Sequence, residues 1–93
     1  RYTIEEKFHA CVDIIHSMPK TGPAPVTYIE MLGMYGLYKQ ALEGPCRTRQ
    51  PGFWNYEGRC KWDAWKKLGD MSKEEAMYNY VAHVLAKGDF MAE

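Results

Sequence analysis

The sequence predicts an all-α fold, a four-helix bundle, and three observations carry that prediction. Apolar residues recur at intervals of three and four through most of the chain, and no stretch alternates as a half-buried strand does. A hydroxyl residue followed three positions later by Glu stands ahead of a periodic run at Thr3, Thr27 and Ser72, the signature of a capping box. Glycine and proline punctuate the intervals, as at Gly22-Pro23, Gly44-Pro45 and Pro51-Gly52.

The first helix follows Thr3, with Glu6 as its reciprocal cap. Ile4, Phe8, Cys11, Val12 and Ile15 form its buried stripe, while Glu5, Glu6, His9, Asp13 and His16 point in other directions. Pro19, Gly22, Pro23 and Pro25 exclude a regular helix from Ser17 to Val26, so that segment reads as a connecting loop.

The second helix opens at Thr27 and stops at Gly44-Pro45, where Gly takes the C-terminal turn and Pro cannot extend the ladder. Tyr35, Tyr38 and Lys39 stand at i, i+3 and i+4, with Met31 and Leu32 one turn earlier on the same face. That face is apolar at one end and cationic at the other, which suits a ligand that is itself half apolar and half anionic. A packed aromatic face whose Lys reaches water along its own stem remains the alternative. Gly33 and Gly36 each cost about 1 kcal/mol relative to Ala inside a helix. They mark close approach by another backbone, room for a ligand, or simple tolerance.

Pro45 to Tyr56 reads as an extended loop carrying Arg47, Arg49, Phe53 and Trp54. Two arginines beside two aromatics can stack on a base or grip phosphate. The reading preferred here is that Phe53 and Trp54 pin the loop to the core. The third helix is expected from Glu57 to Leu68, stopped by Gly69, with Lys61, Ala64, Trp65 and Leu68 on one stripe. Trp62 points about 100° away from Lys61, so one tryptophan is assigned to the core and the other nearer a groove. The last helix starts after Ser72 and is expected to run to Lys87, before Gly88. Ala76, Met77, Tyr80, His83 and Val84 share its inner face, where the Tyr80 hydroxyl needs a partner if buried.

At 93 residues the chain is read as one domain, 1–93, able to bury roughly 60 to 65% of its unfolded surface. Its 12 basic and 12 acidic residues balance, so no long-range field favours nucleic acid, and any anion site has to be local. No apolar run reaches the roughly 18 residues of a membrane span, which predicts no membrane insertion by this stretch. Cys11, Cys46 and Cys60 are odd in number and lack zinc-ligand spacing, which points to a reducing, intracellular setting without disulfides. His9, His16 and His83 are too scattered for a local metal motif, and no nucleophile has a base at suitable spacing. Neither a metal, a cofactor nor an enzymatic activity is expected.

Tyr35 to Ala41, Pro51-Gly52, Lys61 to Trp65, and Ser72 to Met77 with Tyr80 together resemble the acyl-CoA binding protein family. The resemblance covers nearly the whole chain, from about Phe8 to Val84. It implies a bundle of up-down-down-up topology that carries long-chain acyl-CoA and is not an enzyme. Residue by residue, it assigns Tyr35, Lys39 and Lys61 to the 3′-phosphate of the CoA adenosine and Tyr38 to the adenine. Tyr80 matches the last-helix tyrosine of the site. Phe8 and Val12 match first-helix contacts, and Met31 and Leu32 match residues near the acyl chain.

Glu57 and His16 stand where many members have Lys, Gln50 where an Arg commonly precedes Pro-Gly, and Gly33 where a bulkier apolar residue is usual. The resemblance thus implies less positive charge at the site, with Arg49 beside Gln50 as a substitute for the missing Arg, and at Gly33 either a wider acyl groove or looser packing. Gly44-Pro45-Cys46 and Pro51-Gly52-Phe53-Trp54 look more like the larger multidomain members, some membrane-anchored, and the chain starts at Arg1 rather than Met. A domain cut from such a protein is expected, monomeric and cytoplasmic, with any tether to an organelle membrane lying outside this stretch. The leading function is non-covalent binding of long-chain acyl-CoA for intracellular transport and pool formation. An interaction or tethering domain of the same fold, with weak or regulatory binding, is the alternative.

Overall fold

The computed structural model describes residues 2–17 and 27–92, apart from the side chains of 87–92. Its helices are α1 (Ile4–Ser17), α2 (Tyr28–Glu43), α3 (Tyr56–Lys66) and α4 (Lys73–Ala92), and no strand occurs among the described residues. The connection expected over Ser17–Val26 lies outside the described residues except for Ser17, which ends α1.

The capping residues act as their spacing demands. Thr3 and Glu6 exchange side-chain hydrogen bonds with each other's backbone N–H at 3.1 and 2.8 Å, and Thr27 and Glu30 do the same at 3.1 and 2.9 Å. The Ser72 hydroxyl accepts from the Glu75 N–H at 3.0 Å. Gly44 ends α2 with φ 83°, its N–H returning to the Gln40 carbonyl.

Three boundaries differ from expectation. α3 stops at Lys66 rather than Leu68, because the chain tightens into i→i+3 bonds from Leu68 to Trp65 and from Gly69 to Lys66 before Gly69 turns at φ 62°. It also begins at Tyr56, since Asn55 caps it by accepting from the Gly58 N–H. α4 does not stop before Gly88 but continues to Ala92. One interior Gly costs about 1 kcal/mol, and with no Pro following it the hydrogen-bond ladder carries on.

Among the described residues, the helix backbones pack α4 on α1 and α2 and α3 on α2, while Phe8 and His16 of α1 reach Tyr38 of α2 through their rings. Tyr35 meets Lys61 and Lys39 meets Trp65, so α2 and α3 run in the same direction. Gln40 meets the chain leading into α4 while Glu30 faces His83 at 3.8 Å, so α4 runs back against α2.

The core joins Phe8, Cys11 and Val12 of α1 to Met34 and Ala41 of α2 and to Ala76, Met77, Tyr80, Val81 and Val84 of α4, with Ile4 and Ile15 packed at its edge. This is the predicted stripe of α1 in full. Gln40 has no exposed surface, and its amide nitrogen donates to the carbonyls of Gly69 at 3.0 Å and Met71 at 2.7 Å. It clasps the α3–α4 turn against α2, which periodicity alone did not indicate.

Candidate functional site

The site is built where α2 crosses α3. A Cβ at Gly36 would lie 2.5 Å from the Ala64 carbonyl oxygen, so only Gly permits this approach. Gly33, one turn earlier, has open space where its Cβ would be. The two glycines therefore have different explanations, close backbone contact at one and room at the other.

The parallel crossing sets each helix's Lys against an aromatic ring of its neighbour. Lys61 Nζ of α3 lies 5.6 Å from the ring centre of Tyr35, and Lys39 Nζ of α2 lies 4.9 Å from that of Trp65. Tyr35 and Lys39 stand one helical turn apart on α2, as Lys61 and Trp65 do on α3, so the two ammonium groups occupy successive turns of one interhelical seam. Trp65 is held by its indole N–H, which donates to the Gly44 carbonyl at 2.9 Å.

Each ammonium also has a carboxylate from its own helix: Glu43 for Lys39, and Glu57 for Lys61 at 3.5 Å. The hydrogen bond to Glu43 is the main reason the Lys39 ammonium is held above its usual range. Partial burial acts the other way, and the charges of Glu43, Tyr35 and Tyr38 add to the rise. Lys39 therefore stays cationic at neutral pH, and each ammonium has its charge locally balanced by a carboxylate.

Towards α1 the site has an aromatic wall. Tyr38, half-buried, stacks on Phe8 at 6.4 Å and meets His16 edge-on at 6.0 Å, while Phe8 meets Tyr80 at 5.1 Å. Phe8 has no exposed surface and Val12 and Tyr80 are also buried, so these three expected contact residues belong to the core that supports Tyr38. Burial is the main cause that pushes the Tyr80 hydroxyl up to about 12, with smaller contributions from Cys11 and Tyr38. Burial likewise raises the Cys11 thiol, away from a reactive thiolate.

The apolar end lies at the start of α2. Met31 is exposed and Leu32 half-buried, and Tyr28 and Ile29 beside them are exposed as well. Tyr28, Met31, Leu32 and Tyr35 fall at i, i+3, i+4 and i+7, so the greasy strip runs into the cationic seam on a single face.

The loop from Pro45 to Asn55 corrects one expectation. Phe53 and Trp54 do not pin it; they are 82% and 80% exposed. The pins come from α3 instead. The Trp62 indole donates to the Thr48 carbonyl and hydroxyl at 3.1 and 3.0 Å, Arg59 to the Pro51 carbonyl at 3.3 Å, and Lys66 to the Cys46 carbonyl at 3.4 Å. Trp65 is thus the buried tryptophan and Trp62 the half-buried one.

Sequence reasoning missed Trp65 as the platform for Lys39 and Glu43 as its carboxylate. The i,i+4 spacing from Lys39 to Glu43 was visible. The ring contact was not, because it depends on how the two helices cross.

The family described as "Acyl CoA binding protein" matches residues 5–84. The acyl-CoA-binding domain-containing protein 5 of Rattus norvegicus is 54% identical over 81 residues, which cover 87% of this chain and 16% of that protein. The acyl-CoA-binding domain-containing protein 4 of Homo sapiens is 49% identical over 80 residues, covering 86% of this chain and 30% of that one. The chain therefore spans a minor part of both relatives. Among solved structures, acyl-CoA-binding protein 2 of Oryza sativa superposes with a TM-score of 0.86 at 37% identity, covering 97% of this chain and 96% of its own. The structure of that family's protein from Moniliophthora perniciosa gives 0.82 at 37% identity, over 96% of this chain and 87% of its own.

Proposed function

Because the chain belongs to the acyl-CoA binding protein family, we propose that it binds long-chain fatty acyl-CoA esters non-covalently and serves their transport and pooling rather than their chemical conversion. The observation that carries the reading is the seam of Lys39 and Lys61, continuous with the apolar strip of Met31 and Leu32.

A phosphate placed between the two ammonium groups gains charge-assisted hydrogen bonds of roughly 1.5 to 3 kcal/mol each. Tyr35 bounds that position, and the half-buried Tyr38 ring offers a face on which adenine stacks. Phe8, Val12 and Tyr80, buried behind Tyr38, form the inner wall of the proposed ligand site. The acyl chain lies along Met31 and Leu32, where Gly33 leaves room. Each sequestered methylene contributes about 0.8 kcal/mol before the cost of ordering a flexible tail. Headgroup and tail are then both needed, which suits a carrier that must discriminate the thioester from its two hydrolysis products. In relatives much longer than this chain, such a domain would present acyl-CoA to whatever the remaining segments engage.

The test is a calorimetric titration with palmitoyl-CoA below its micelle concentration, beside free CoA and free palmitate. One-to-one binding of the ester, with CoA weak and palmitate weaker still, is the expected result. Equal affinity for palmitate and its CoA ester would sink the reading. The Lys39→Ala, Lys61→Ala pair should lower affinity and leave helix content intact.

A further inference from the structure

We propose that the turn at Gly52–Asn55 is a peripheral docking point for an anionic lipid surface, with Phe53 and Trp54 entering the interfacial layer and Arg47 and Arg49 meeting the headgroups.

The turn closes with the Asn55 N–H donating to the Gly52 carbonyl at 3.0 Å, which places Phe53 and Trp54 at its two corners. Turn corners favour Gly, Pro, Asn and Asp for backbone reasons. Two large aromatics meet no such requirement, and these are 82% and 80% exposed, followed by Tyr56 at 75%. Side chains so nearly surrounded by solvent stand on a convex surface, and contiguous exposure of this kind marks an interaction site.

The two rings pack on the turn and on each other. The Trp54 ring lies over Gly52, where any Cβ would come within 2.3 Å of it, and Phe53 meets it edge-on at 5.6 Å. Behind the turn, Asn55 is committed to capping α3 and Pro51 is held by Arg59.

Charge selects the partner. The chain as a whole is neutral, yet from Pro45 to Tyr56 it carries Arg47 and Arg49 and no Asp or Glu. Both arginines are exposed. Trp and Tyr favour the boundary between hydrocarbon and water, and basic residues beside them add attraction to anionic lipid. No helix of the described residues is long and apolar enough to cross a membrane, so the contact is peripheral. It also orients the molecule, because the turn leads directly into α3, which carries Lys61. The inference stands on this loop and does not depend on the ligand proposed above.

The experiment is co-sedimentation of the 93-residue chain with phosphatidylcholine vesicles, with and without one-third phosphatidylserine, at low and raised salt. The expected result is binding to the anionic vesicles, several-fold weaker at raised salt, with a blue shift of tryptophan emission. A Phe53→Ser, Trp54→Ser variant should bind at least tenfold more weakly with unchanged helix content, and an Arg47→Gln, Arg49→Gln variant should lose the preference for phosphatidylserine. No sedimentation of the parent chain, or equal binding by the serine variant, overturns the proposal. So does a dimer in sedimentation equilibrium that the serine variant abolishes, since the patch would then belong to a second copy of the chain.

Discussion

Replacing Glu57 by Gln should tighten binding of an acyl-CoA ester, and the size of the effect follows from the geometry at Lys61. The Glu57 carboxylate lies 3.5 Å from Lys61 Nζ. Two unit charges at that distance interact by about 1 kcal/mol in water-like surroundings. The two side chains are 72% and 45% exposed, so screening and side-chain entropy leave about 0.2 to 1 kcal/mol. A phosphate that takes over Lys61 forfeits this pair and meets the displaced carboxylate as a like charge. Removing the carboxylate should therefore raise affinity about two- to fivefold, since 1 kcal/mol corresponds to a factor near five. Glu57 also stands in the first turn of α3, where an acid is favoured by the helix dipole, so the Gln variant should lose about 0.3 to 1 kcal/mol of stability. Binding and stability then move in opposite directions, which a general loosening of the fold would not produce. The assay is calorimetric titration with palmitoyl-CoA and its 3′-dephospho counterpart at low and high salt. Equal gains for both ligands, or none for palmitoyl-CoA at low salt, would refute the argument that Glu57 competes with the 3′-phosphate for Lys61.

Three further outcomes are expected. Gly36→Ala should destabilise the chain by about 2 kcal/mol or more in urea titration, because the methyl group meets a backbone carbonyl, whereas Gly33→Ala should stabilise it by up to about 1 kcal/mol. Gln40→Leu should cost about 2 kcal/mol by leaving the Gly69 and Met71 carbonyls without their donor. Gln40→Glu should cost more at pH 7, where an acceptor-only carboxylate faces two carbonyls, and should recover in acid. In alkaline absorbance titration Tyr80 should ionise near pH 12. Its folded value is raised above the unfolded value of about 10. Its contribution to stability is therefore complete below pH 10 and falls by about 1.4 kcal/mol per unit as pH rises towards 12. A stability curve flat over that window would show that Tyr80 is not held neutral by burial.

Helix identity was legible because caps and periodicity are local. Thr3, Thr27 and Ser72 each announced a start, and the stripe from Ile4 to Ile15 was the buried face of α1. The end of α3 was less legible, since Leu68 fits the helical stripe while the backbone has already tightened. The cationic seam was half visible. Lys39 and Lys61 could be singled out on their own helices, but the rings that receive them depend on a crossing fixed by Gly36, and a single sequence does not encode that contact as a pattern. Phe53 and Trp54 defeated the rule that aromatics seek the interior because anchoring had passed to Trp62, Arg59 and Lys66, whose polar bonds to the loop carry no periodic signature.

Among the described residues, α3 contributes nothing to the main core cluster and packs on α2 as its one neighbouring helix. Its attachment consists of Ala64 and Trp65 against α2, the two lysine–ring contacts of the seam and a few hydrogen bonds to the loop. Such an outer element opens at lower free energy than the bundle unfolds, so its amides should exchange with solvent ahead of those of α2 and α4. Half of the cationic seam opens with it. A ligand that bridges Lys39 and Lys61 would then close α3 like a latch, and its arrival would be recorded as slowed exchange along a helix that makes up one outer edge of the molecule.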